Sequence, residues 1–139
     1  MAANVNQLKR NAKTITPQEQ AVVKNLLTRI NKITVVPTVH AKKRLDERGI
    51  TVDQMQKVLH EANYNRVVEV SIVPYNNYTE PRMLITSNDV YGAGRGRYRV
   101  AVVVNCHNFE VVTTYKAFLT NNYKTIQNQD FNFADYFRK

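Results

Sequence analysis

The apolar residues of this 139-residue chain change period at Asn63. Upstream, Val22, Val23, Leu26, Leu27 and Ile30 recur three and four residues apart, the spacing of one helix face. Downstream, "RVVEVSIV" (66–73), "RMLITS" (82–87), "RYRVAVVVN" (97–105) and "FEVVTTYK" (109–116) are runs of β-branched and aromatic residues bounded by turn chemistry. Helices followed by strands, without alternation between them, specify an α+β fold with the strands paired antiparallel in sequence order.

Three helices are expected before the switch. Thr16-Pro17-Gln18-Glu19 supplies an N-cap, a proline at the first helical position and a capping-box glutamate, so a helix starts at Pro17 and runs to about Ile33. "VVPTV" interrupts, because the residue before Pro37 is biased to extended geometry. A short second helix, "HAKKRLDER", ends at Gly49, and Thr51 with Gln54 opens a third that carries Val52, Met55, Val58, Leu59 and Ala62. Residues 1–14 are polar and read as a loose arm, leaving 15–139 as one domain with four strands. The tail from 119 to 139 is rich in Asn and Gln and then gathers Phe131, Phe133, Tyr136 and Phe137, too many rings for a free end. It is expected to dock as a final helical turn.

Charge narrows the partners. Twenty Lys and Arg against 11 Asp and Glu leave a formal net charge of +9, spread through the elements and not gathered in a tail. Such a field favours phosphate: nucleic acid first, an acidic protein second, an anionic membrane surface third. No 18-residue apolar run and no apolar segment near the N-terminus occur, so a cytoplasmic protein without a membrane partner is expected. The single Cys106 lies in "VAVVVNC" and reads as a buried thiol. His40, His60 and His107 are scattered and no carboxylates fall at ligand spacing, so neither a metal nor another cofactor is expected.

The second helix is the part of the chain with chemistry to explain. On a helix, His40, Arg44 and Arg48 rise from one face. A solvated face with local pairs such as Lys43 with Glu47 would be the plain explanation. Yet a protonated imidazole in line with two guanidiniums stabilises nothing by itself, and an anion such as phosphate would relieve the repulsion. In "VVTTYK", strand alternation puts Thr113 with Tyr115 on one face and Thr114 with Lys116 on the other. Each face then offers a hydroxyl, and one a cation, to a phosphoryl oxygen. "GAGRG" lacks the Gly-Lys-Ser/Thr ending of a nucleotide phosphate loop and is expected to be a hairpin loop.

A helix with "HAxxRxxERGI", a further helix, and an antiparallel sheet whose last strand ends in "VVTTYK" together resemble the small metal-independent ribonuclease domains of the barnase, EndoU, colicin and RelE toxin superfamily. The likeness is to the branch whose helix begins His-Ala with an arginine four residues after the histidine, and it spans roughly residues 38 to 118. The leading helix and the aromatic tail lie outside it. The resemblance implies an endoribonuclease, as a toxin or a phage or mobile-element factor, that cleaves RNA by attack of a 2′-hydroxyl on the adjacent phosphate. It also implies an acidic antitoxin or immunity partner. Carried over, His40 is the acid or base and Arg44 the phosphate clamp; Thr114 or Thr113 orients the phosphate, with Tyr115 and Lys116 as alternatives. Arg48 and Lys43 would add nucleic-acid contacts.

Two other functions fit the same residues. A binding protein without turnover would use "GRGRYR", with Arg95, Arg97 and Arg99 on the phosphate backbone and Tyr98 or Tyr91 stacking on bases. A basic adaptor would meet an acidic protein and ignore RNA.

Overall fold

A computed structural model describes residues 7–120 and 131–137 of the chain. Helix α1 covers Pro17–Ile30, α2 Val39–Glu47 and α3 Val52–His60. Strands β1 (Leu8–Asn11), β2 (Val67–Pro74), β3 (Thr79–Thr86), β4 (Tyr98–Asn105) and β5 (Val111–Phe118) form one antiparallel sheet in sequence order. The α+β class and the meander therefore follow the period change.

The strand count needs correction from four to five. Residues expected in a loose polar arm instead make β1, whose Leu8 faces Ile72 and whose Asn11 faces Glu69, followed by a 3-10 turn at Ala12–Thr14. Strand pairing satisfies the backbone irrespective of side-chain polarity, and a four-residue edge strand carries too few side chains to show a period. Because β1 precedes α1, helices come before strands only in part. The earlier portion of that arm (1–6), and residues 121–130 and 138–139 of the Asn- and Gln-rich tail, lie outside the described residues.

Local signals place the helix starts. Thr16 and Thr51 each accept from the backbone N–H three residues on, while Glu19 and Gln54 accept the cap residue's own N–H, two complete capping boxes. Helix α1 stops at Ile30, short of the expected Ile33: the N–H groups of Lys32 and Ile33 reach back only three residues, to the Arg29 and Ile30 carbonyls at 3.1 Å each, while the Asn31 side-chain amide donates to the carbonyls of Leu59 and Ala62 at 2.9 and 3.1 Å. β3 begins earlier than expected, at Thr79, and includes Pro81. The proline's carbonyl accepts from Cys106 N, beyond the end of β4, so its missing N–H falls where the β4 ladder has stopped.

The described helices pack on the sheet face made by Val70, Met83, Ile85, Val100, Val102 and Val104. Helix α3 contributes Met55, Val58 and Leu59, and α1 contributes Val23, Leu26, Leu27 and Ile30. The tail docks as expected: Phe133–Phe137 is a 3-10 turn and Phe133 is fully buried. Glu19, also fully buried, anchors it. Its carboxylate accepts from Phe133 N at 2.7 Å and from Arg10 Nη1 at 2.7 Å, and Arg10 in turn reaches the Phe131 carbonyl at 3.1 Å. One carboxylate thus joins β1, α1 and the C-terminal turn.

Candidate functional site

Helix α2 leans against β5, and between them runs a groove of about 450 Å³. Its floor and far wall are apolar, with Leu45, Met55, Phe109 and Val111, and its outer wall is the extended segment 33–37. Gln56 of α3 holds that segment, accepting from Val35 N at 2.6 Å and donating to the Ile33 carbonyl at 2.7 Å. The polar side chains in the groove are Arg44, Arg48, Thr113, Thr114, Thr34, Thr38 and Glu110.

Why α2 presents its arginines here follows from its short apolar face. Leu45 is buried, Ala41 is half-buried, and the remaining positions are exposed. Residues three and four apart share a face, so burying Ala41 and Leu45 carries Arg44 and Arg48 to the groove. Thr38 caps the helix, accepting from Ala41 N at 3.1 Å. Gly49 closes it at φ +69°, a left-handed turn that glycine adopts without strain.

Arg48, whose orientation the helix alone left open, points inward. Its Nη1 donates to the Thr113 hydroxyl at 3.1 Å and to the Thr114 carbonyl at 2.6 Å. Two stretches 65 and 66 residues apart are thereby joined. Arg44 lines the same groove with an exposed side chain. His40 is exposed in the first turn of α2, between the groove-lining Thr38 and Ala41, and is not itself part of the lining. Lys43 is exposed on α2 and also outside the lining.

The strand residues divide as alternation requires. Thr114 and Lys116 stand opposite Val102 and Val100, on the helix-covered face. Thr114 is buried in the groove, whereas Lys116 sits with Nζ 4.6 Å from the Tyr98 ring centroid and beside Gly49. Tyr115 must be removed from the groove: it faces the other way and packs with Leu84, Ala101 and Ala117. Thr113 opposes Val103, but a bulge between Val103 and Val104 re-aims the strand and its hydroxyl meets Arg48.

The three arginines of "GRGRYR" do not form one clamp. Arg95 is exposed in the 3-10 turn Gly94–Gly96, and Arg97 Nε donates to the Gly94 carbonyl at 3.2 Å. Arg99 is half-buried and bonds the carbonyls of Ser87 and Asn88 at 2.8 and 2.7 Å. Tyr98 contacts Phe118 and Tyr91, with ring centroids 5.9 and 5.8 Å away. The other histidines are structural. His60 Nε2 lies 3.0 Å from the Ile33 carbonyl, and His107 Nε2 lies 3.0 Å from the Tyr136 carbonyl. Burial pushes the Cys106 thiol far above the ordinary thiol range, so it is held neutral.

Sequence reasoning missed Glu110 and the 33–37 wall. The extended geometry before Pro37 was legible; its clamp by Gln56, 21 residues on, had no local signal. Among the described residues no cluster of His, Cys, Asp and Glu could hold a metal ion, and no helix is long and apolar enough to cross a membrane. No family model matches the chain, and no curated protein or solved structure matches it significantly.

Proposed function

We propose that the α2–β5 groove is the RNA site of an endoribonuclease that works without a metal, in the manner of a toxin or a phage or mobile-element factor. The observation that carries this reading is the pair of bonds from Arg48 to Thr113 and Thr114, because they bring "HAKKRLDERGI" and "VVTTYK" to one cleft. Arg44 then grips the scissile phosphate. Arg48, held by the strand, presents its remaining N–H groups to the charge that builds on the phosphorane.

The reaction forms a bond from the 2′-oxygen to phosphorus and breaks the bond from phosphorus to the 5′-oxygen. One group must accept the 2′-hydroxyl proton and another must supply a proton to the departing oxygen. His40, one helical turn before Arg44 at the rim, takes one of these roles. Glu110, the carboxylate of the groove lining, takes the other.

Incubation of the purified protein with total RNA in EDTA tests this. Fragments ending in 2′,3′-cyclic phosphate are expected, lost in His40→Ala and strongly reduced in Arg44→Gln. Two features favour a second reading, a binding protein without turnover: His40 is outside the lining, and Arg48 already has oxygen partners. On that reading RNA stays intact and is bound with a salt-sensitive affinity that declines as basic residues are removed. An acidic protein partner becomes the remaining choice if RNA is ignored at physiological salt.

A further inference from the structure

Across the sheet from the α2–β5 groove is a second concavity of about 320 Å³, at the end of β3, β4 and β5 that adjoins the 3-10 turns 12–14 and 64–66. Three cations line it, Lys13, Arg66 and Arg99, together with Thr86, Asn11 and Asn65. Among the described residues, no carboxylate lines it.

The convergence costs free energy. Burial lowers the pKa of Arg99 from the ordinary arginine value, the neighbouring Arg66 guanidinium lowers it further, and Asp89 only partly opposes them. Asp89 is engaged elsewhere, 2.5 Å from Lys57 Nζ. Arg99 is nonetheless fixed. Its Nη1 is spent on the carbonyls of Ser87 and Asn88, which leaves Nε and Nη2 in a set orientation. Among the described residues no salt bridge involves Lys13, Arg66 or Arg99.

We propose that this pocket binds a terminal phosphate, the dianionic phosphomonoester of a nucleotide or of a nucleic-acid end. A fixed guanidinium beside a second one suits the oxygens of one phosphoryl group, and guanidiniums match phosphate geometry in pairs of parallel bonds. A monoester carries nearly two negative charges at neutral pH and an internal diester one, so three unneutralised cations select the end of a chain over its middle. The volume is at the low end for a ligand pocket, which fits one nucleotide and excludes a folded strand. This site is independent of the groove and does not rest on ribonuclease activity.

Calorimetric titration of the full chain with 5′-AMP, with adenosine, and with one oligoribonucleotide carrying either a 5′-phosphate or a 5′-hydroxyl tests the assignment. Saturable binding of 5′-AMP or of the 5′-phosphorylated oligonucleotide is expected, with adenosine silent and the 5′-hydroxyl oligonucleotide weaker. Binding of both phosphate forms, or of either alone, identifies the source and supports the site. Arg66→Gln and Lys13→Gln, whose side chains carry no structural bond among the described residues, should each weaken it by about tenfold. Lys42→Gln, an exposed position of α2 outside the lining of both concavities, should leave 5′-AMP binding unchanged. The proposal is overturned if neither phosphate form binds at millimolar concentration, if adenosine binds as tightly as 5′-AMP, or if folded Arg66→Gln and Lys13→Gln bind 5′-AMP like the parent.

Discussion

The guanidinium of Arg48 bridges the end of α2 to β5 by donating to the Thr113 hydroxyl and the Thr114 carbonyl, at 3.1 and 2.6 Å. Removing it should loosen that end of the groove. Arg48→Ala is expected to cost about 1 kcal/mol, below the usual range for a hydrogen bond from a charged donor because the side chain is exposed. Arg48→Lys should recover little of it, since one ammonium lacks the planar fork. Urea denaturation of the three proteins decides this; equal midpoints would show that the bridge contributes nothing.

Exposure separates catalysis from stability at His40 and Arg44. Neither side chain is buried, so His40→Ala and Arg44→Gln should melt within a few tenths of a kcal/mol of the parent. Any loss of RNA cleavage in these variants then reports on chemistry. A large stability loss in either would mean that the exposed face of α2 has a structural partner.

Glu19→Gln is expected to destabilise by about 3 kcal/mol, because Arg10 would keep a part-buried charge without its partner. The effect depends on pH with a definite sign. Burial raises the Glu19 pKa, but hydrogen bonds from Thr16 and Phe133 and the Arg10 charge outweigh it, and the folded value is lowered. Its contribution is therefore complete above the ordinary carboxylate value of about 4.3 and disappears as pH falls through the lower, folded value. Thermal melts of both proteins should differ most near neutrality and converge in acid.

Glu69 should behave in the opposite way. Burial on β2 raises its pKa, with Lys9 lowering it less, so ionising this carboxylate costs stability as pH rises past the ordinary value. Glu69→Gln is expected to melt above the parent at pH 7, with the gap closing in acid. A parent protein that melts higher than Glu69→Gln at neutral pH would show that Lys9 outweighs the burial.

The two halves of the groove differ in how they could be read. Thr38, Thr51 and Gly49 act within a few residues of themselves, so the limits of α2 and α3 are visible as caps and a left-handed stop. Likewise the alternation in β5 assigned Thr114 and Lys116 to one face and Tyr115 to the other. Which of those faces met α2 was not visible. Tyr115, an alternative phosphate contact by sequence, packs on Ala101 and Ala117.

Local chemistry in the sequence determined the α+β class, the capping boxes and the faces of each strand, because each depends on neighbours within one or two turns of chain; the tail's cluster of rings called for burial without saying where. Tertiary structure alone decided that residues 8–11 pair as a fifth strand, that Arg48 turns inward to Thr113, that Glu19 ties both ends of the domain together, and that Arg66 and Arg99 share a pocket. Those relationships join residues brought together by the crossing of helices over the sheet. Their energy belongs to pairs far apart in sequence, which no local period or propensity records.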